Sequence, residues 1–139
     1  TEPSLVFEQE KNWAKWKKSG NDLLFSVNME NVDKCGTIDA YDLAIYCEDV
    51  YGDKIVIDAD EPDGWVSYFT VEKKLKAGKT GYSGYCRLPR GAKAKTIYVA
   101  IVRYHFADST TQDASHLQAN DKGTVELDTL DMEWYHWTV

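Results

Sequence analysis

The sequence predicts an all-β fold, an antiparallel β-sandwich in one domain spanning residues 1–139. Three observations carry this. Short runs of alternating apolar and polar residues recur along the chain. They are rich in Tyr, Val, Ile and Thr, which suit a pleated surface. Turn signals containing Gly, Pro, Asn or Asp separate them, and no convincing helical period intervenes.

Each element can be justified in order. Residues 5–9 read as an opening strand. Ser19-Gly20-Asn21-Asp22 is a turn, and in 23–30 Leu23, Phe25, Val27 and Met29 alternate with Leu24, Ser26, Asn28 and Glu30. In "GTIDAYDLAIYCEDVYG", Tyr41, Leu43, Ile45 and Cys47 share one parity, and Asp42, Ala44, Tyr46 and Glu48 share the other. A helix could gather Ile38, Tyr41 and Ile45, but composition and the following Tyr51-Gly52-Asp53 turn favour a strand. Its core face is Leu43, Ile45 and Cys47, and its acids face solvent. Ile38 and Ala40 lie out of phase with Leu43, which predicts a β-bulge between Asp39 and Tyr41.

Residues 54–57 and 65–73 read as strands around the loop 58–64. Gly78 and Gly81 flank a turn before a strand over 82–88, and Pro89-Arg90-Gly91 breaks the chain again. Residues 96–106 are apolar on both parities, as in a central strand covered on both faces. Residues 108–122 read as a long polar loop, and 124–139 as one or two closing strands.

Composition limits function. Sixteen Lys and Arg against 23 Asp and Glu give a net charge of −7, which repels phosphate backbones and anionic membranes. Basic clusters at 15–18, 73–79 and 87–95 lack an interleaved stacking platform and read as solvated loops, so no nucleic-acid partner is expected. No run of apolar residues is long enough for a membrane-spanning helix, so no membrane insertion is expected. Residues 1–10 have neither a basic start nor a sustained apolar core, and are not read as a signal peptide.

The order Gly36-Thr37-Ile38-Asp39-Ala40-Tyr41, Asp49-Val50-Tyr51-Gly52, Leu75-Lys76-Ala77-Gly78, Ile97-Tyr98-Val99-Ala100 and Phe106-Ala107-Asp108 resembles a group of bacterial cell-envelope and secreted domains, similar to the FxLYD type. The match spans about residues 22–110, and it departs from the family pattern at Asp108-Ser109, where Asp-Gly is usual. The resemblance implies an immunoglobulin-like sandwich, located outside the cell or at its surface. It implies a non-catalytic accessory module, a protein-interaction or spacer domain within a larger multidomain protein. It carries over no functional residue.

The residues offer several candidate sites. Asp58, Asp60 and Asp63 crowd oxygen ligands into the loop "DADEPDGW" and could hold calcium, although Pro62 and Asp63 break the EF-hand order. The plainer reading is a solvated turn stiffened by Pro62 and Gly64. Otherwise no cofactor is expected. Cys47 and Cys86 could bridge two sheets or remain buried thiols, and Cys35, in a turn, is the odd one out. No CxxC pair points to zinc or redox chemistry.

Gly81 to Tyr85, "GYSGY", is not a nucleophile elbow, because it is G-x-S-G without a strand-turn-helix context. His105, His116 and His136 have no spacing that implies a partner. Paired carboxylates for glycoside hydrolysis remain a third option, and the chain is read as non-enzymatic.

Five Trp and nine Tyr are the most informative excess. Trp13 and Trp16, and likewise the two parities of 134–139, cannot all enter one core. Rings left outside can stack on sugar faces. The alternative function is therefore a carbohydrate-binding module with a polysaccharide ligand. Its expected platform is Trp65, Tyr68, Tyr135 and Trp137, although any single Trp could instead be core.

Overall fold

The computed structural model describes residues 4–8, 11–17, 21–32, 36–108, 120, 122–126 and 132–139. Among these residues there are nine strands and no α-helix. They form two antiparallel sheets.

In the first sheet, β3 (Asp22–Asn31) is central. β6 (Gly78–Arg87) pairs with all of it, from Asp22↔Arg87 to Asn31↔Gly78. The other edge of β3 is shared. β1 (Leu5–Phe7) pairs with Met29 to Asn31, and β2 (Trp13–Trp16) with Leu23 to Ser26. Between them the ladder is completed at Asn28. Its carbonyl accepts from the Glu8 N–H at 2.8 Å. Its own N–H donates to the side-chain oxygen of Asn12 at 2.7 Å.

In the second sheet, β4 (Ile38–Glu48) and β7 (Thr96–Phe106) form the central pair. β5 (Ser67–Leu75) adds to β4. β8 (Thr124–Glu126) and β9 (Tyr135–Thr138) share the far edge of β7, against Arg103 to His105 and Thr96 to Val99 respectively. The short connection from β5 to β6 carries the chain between sheets. Gly78, at φ 130°, adopts a backbone conformation open to glycine after Lys76-Ala77.

The core lies between the sheets. Leu23, Phe25, Val27 and Met29 enter from β3, and Leu43, Ile45 and Cys47 from β4. Ile97, Val99, Ile101, Tyr104 and Phe106 enter from β7. The expected alternation in β3 and the core face of β4 are therefore both observed. So is the bulge: the register of β4 shifts between Ile38 and Ala40 against both neighbours, which returns Ile38 to the core.

One polar clamp ties the sheets together. The Asn31 side chain at the end of β3 donates to the carbonyl of Leu75 at 2.9 Å and that of Gly36 at 3.1 Å. Its oxygen accepts from Ser4 Oγ at 2.8 Å, and the Ser4 N–H donates to the hydroxyl of Tyr104 at 3.2 Å. Asn31 and Ser4 are buried, so these bonds replace the water that each group loses.

Several expectations are corrected. Residues 54–57 are not a strand; one bridge, Glu48↔Lys54, forms there, because the turn at 49–53 folds the chain back only briefly. Gly81 is not at a turn but inside β6, opposite Asn28, whose side chain a Cβ would meet at 3.1 Å. The acid-bearing face of β4 is not simply solvated: Ala44 and Tyr46 on that parity are buried. Cys47 and Cys86 are free thiols, not a bridge. Each fills a core position as a small hydrophobe, and burial pushes both thiols up to about 12, with Cys86 adding to the effect on Cys47. Cys35, His116 and most of the long loop at 108–122 lie outside the described residues.

The Phe25 ring tests the core. It is fully buried, with Phe69 at 5.7 Å and Tyr82 at 5.9 Å between centroids. Phe25→Ala is expected to cost about 3–5 kcal/mol in chemical denaturation. A loss below about 1 kcal/mol would mean that the sheets close over the gap or that the ring is not core.

Candidate functional site: the outer face of the second sheet

The register of β4, β5, β7 and β9 decides which side chains stand on the solvent side of the second sheet. Ala44 pairs with Tyr68 and Ala100, Tyr46 with Tyr98, and Tyr98 with His136. Paired residues share a face. Tyr68, Ala44, Tyr46, Ala100, Tyr98 and His136 therefore lie together, opposite the core.

Tyr46 is the centre of a ring cluster. Tyr98 stacks on it with centroids 4.6 Å apart and planes 1° from parallel. Trp65 and Trp134 each meet it edge to face, at 5.0 Å and 4.9 Å. His136 tilts against Tyr98 at 5.3 Å. The Tyr98 hydroxyl donates to Glu48 at 2.9 Å, and this bond is the main reason its acidity is lowered, so it remains a neutral phenol. The Lys54 ammonium lies 3.8 Å from the Trp65 ring centroid and 5.6 Å from that of Tyr46, a cation–π contact on the outer flank. Tyr46 itself is only 9% exposed, whereas Tyr68 is 63% exposed and His136 is open to solvent.

The chain before Trp65 is shaped to present it. Asp49 accepts from the N–H groups of Tyr51 and Asp53 at 2.9 and 3.1 Å, which closes the turn around Gly52. Asp58 accepts from Asp60 N–H at 3.0 Å, an Asx turn. The Gly64 carbonyl then accepts from Ile57 and Asp58 at 2.6 and 2.9 Å. A Cβ on Gly64 would lie 1.6 Å from the Asp58 carbonyl oxygen, so only glycine fits there.

The opposite end of the same face is polar. Asp42 and Arg103 form an ion pair at 2.6 Å. His105 Nδ1 lies 2.6 Å from Asp39, and Nε2 lies 2.8 Å from the Lys122 carbonyl. Both partners are acceptors, so the site favours the protonated imidazole, in which both ring nitrogens donate. The Asp39 hydrogen bond chiefly raises its pKa, against partial desolvation. This contact exists because of the β4 bulge, which sets Asp39 outside the regular ladder.

The expected platform of four rings divides across the sheet. Trp65 and Tyr68 lie on the outer face. Tyr135 and Trp137 do not: they pair with Val99 and Ile97, whose side chains enter the core. The Tyr135 ring meets Phe7 at 4.6 Å, and Trp137 packs against the core with its indole N–H buried and unpartnered. Tyr46, Tyr98, Trp134 and His136 join this face beyond the expected platform; the signal for them in the sequence is the parity that Trp134 and His136 share. The expected calcium ligands Asp58, Asp60 and Asp63 are exposed along a turn. Among the described residues no three metal-ligating side chains gather. Ser83 lies in flat strand β6, 3.4 Å from Ser26 Oγ, rather than on an elbow.

No protein-family model matches the chain, and comparison with curated proteins and with solved structures gives no match. Among the described residues no helix is long and apolar enough to cross a membrane.

Two measurements check this geometry. Gly64→Ala is expected to disorder the 58–65 turn and change Trp fluorescence through Trp65, while β-sheet circular dichroism persists; an unchanged emission spectrum would contradict the close approach. For His105, the folded pKa is raised, so its stabilising contribution is present below the ordinary histidine value of about 6.5 and is lost as pH rises through the folded value. The difference in thermal midpoint between the protein and His105→Gln should therefore shrink on going from acid to alkaline pH. A difference that is flat or grows with pH would refute the doubly donating imidazole.

Proposed function

We propose that this chain is a non-catalytic recognition module, outside the cell or at its surface, that binds a polysaccharide on the outer face of its second sheet. The single observation that carries the proposal is the cluster of Trp65, Tyr98 and Trp134 around Tyr46, extended by His136 on Tyr98 and accompanied on the same face by the exposed Tyr68. Most solvent-facing sheet surfaces carry polar side chains on this parity. Here one end is aromatic and the other carries hydroxyls and paired charges, which matches the apolar faces and polar edges of a sugar.

The immunoglobulin-like assignment is part of the same proposal. What supports it is the strand order. With β1/β2 and β8/β9 each counted as one position, β3 lies between the first strand and β6, and β7 lies between β4 and the last strand. An immunoglobulin-like sandwich groups its A, B and E strands on one sheet and C, F and G on the other. The resemblance to FxLYD-type domains supports the cell-surface setting.

A second reading, a protein-interaction or spacer domain, draws on the same resemblance and on the turn after β4, where Val50 is 70% and Tyr51 86% exposed. If it holds, a specific envelope partner captured by the protein is lost on Tyr51→Ser; capture that ignores the substitution removes this reading.

Affinity electrophoresis on soluble β-glucans, xylans, mannans and pectins tests the polysaccharide reading. At least one polymer is expected to retard the protein. Tyr68→Ala should weaken retention by at least about tenfold, or about 1.4 kcal/mol, while the thermal midpoint barely moves. Trp137→Phe, on the core side, should leave retention unchanged. Failure of every polymer to retard the protein, with no Trp fluorescence change on adding oligosaccharides, rejects the reading.

A further inference from the structure

We infer that the ligand of this face is a neutral, hydroxyl-rich glycan chain lying along β4 and β7, with rings stacked at the Trp65–Tyr68 end and hydroxyls bound in a separate polar cavity at the other end. The inference rests on the polysaccharide reading above. It adds the chemical class of the ligand, its direction and a second contact zone.

The second zone is a cavity of about 260 Å³ whose lining includes Tyr41 and Tyr104 of the core parity and six further residues, Ala40, Asp42, Thr70, Arg103, His105 and Thr124. Register puts all six on the outer face: Asp42 pairs with Thr70 and Arg103, Ala40 with His105, and His105 with Thr124. Between this cavity and the rings, β4 and β7 present Ala44 and Ala100. Both are buried methyl groups, and half-buried Val102, unmatched at the β7 bulge, follows Ala100 toward Arg103.

Distance sets the length of the ligand. Tyr46 and Ala40 are six residues apart on one strand, roughly 20 Å at about 3.3 Å per residue. A tetrasaccharide bridges that span; a disaccharide stacked on Tyr68, which pairs with Ala44, reaches Thr70 two residues along β5 but not His105 or Thr124 at the level of Ala40. A ligand lying across the strands would meet the rings alone and would not reach the cavity.

Charge sets the class. In and beside the cavity Asp42 pairs with Arg103 and Asp39 with His105, and Glu72, opposite Ala40, adds a further carboxylate. An anionic sugar entering there would meet no net positive field. At the ring end, residues 49–66 carry six acids, namely Asp49, Asp53, Asp58, Asp60, Glu61 and Asp63, against Lys54 alone. The chain as a whole is at −7. Uronate or sulfated polymers are therefore repelled, and neutral hydroxyls are suited to a zone of two threonines and a neutralised ion pair.

The test uses neutral oligosaccharides, from disaccharide to hexasaccharide, of whichever gluco-, xylo- or mannan polymer retards the protein in gels, with polygalacturonate as the acidic comparator. Affinity by calorimetry should rise at least about tenfold from disaccharide to tetrasaccharide, or about 1.4 kcal/mol, and then level off. It should be insensitive to salt. Thr124→Val, which suits a strand position, should weaken tetrasaccharide binding severalfold and leave disaccharide binding and the thermal midpoint unchanged. Equal affinity for disaccharide and tetrasaccharide, no effect of Thr124→Val, or tighter and salt-sensitive binding of polygalacturonate overturns the inference. Retention that Tyr68→Ala abolishes, without length dependence, overturns this inference but spares the polysaccharide reading. Absence of retention by every polymer removes both.

Discussion

The pairing of β4 with β7 is the constraint on which the rest of the structure depends. It runs from Ile38↔Phe106 to Glu48↔Thr96, with a register shift on each strand. Side chains alternate along a strand, so a slip of one residue would exchange the two faces. In the observed register Leu43, Ile45, Ile97 and Val99 all enter the core, while Tyr46 and Tyr98 meet on the other side. The two shifts then allow both strands to keep this phase over their whole length. The first ejects Asp39, which returns Ile38 to the core and makes the carboxylate available to His105. The second, between Asp42 and Leu43, leaves Val102 unmatched and sets Arg103 opposite Asp42.

The aromatic cluster is both structural and exposed, and the division follows from position. Tyr46 sits on a central strand, is enclosed by Tyr98, Trp65 and Trp134, and contributes apolar burial on the face away from the core. Tyr68 sits on β5 at the sheet edge, where one flank has no neighbouring strand among the described residues, and remains open. Tyr46, packed against Tyr98, Trp65 and Trp134, holds those rings in place, so less of their freedom would be lost in the proposed binding. The same pre-organisation explains the construction of 49–64. Asx-type bonds and a glycine that tolerates no Cβ define the turn immediately before Trp65.

At the other end, the molecule is fastened by polar groups rather than rings. Asn31 is placed by β3 on the core parity, where an apolar residue would ordinarily stand. Its amide instead takes up the carbonyls at which the chain leaves β5 and enters β4. An unpaired carbonyl there would carry a desolvation cost of about 1–3 kcal/mol. The clamp thus joins the two sheets where the connection between β5 and β6 crosses from one to the other.

Much of this was legible in the sequence alone. Periodicity and turn residues determined that the chain is β, that Leu23, Phe25, Val27 and Met29 form one core face, and that Leu43, Ile45 and Cys47 form another. They also located the bulge, because Ile38 could reach the core only if one residue were skipped. These properties are local: a strand's two faces are visible in its own alternation. Which strands lie side by side is not local. Only the tertiary register decided that Tyr46, Tyr98, Trp65 and Trp134 assemble, that Tyr135 and Trp137 turn inward, and that the thiols of Cys47 and Cys86 remain free in the core. Alternation divides a strand's residues into two sets, but the name of the set that meets the core comes from its neighbours across the sheet.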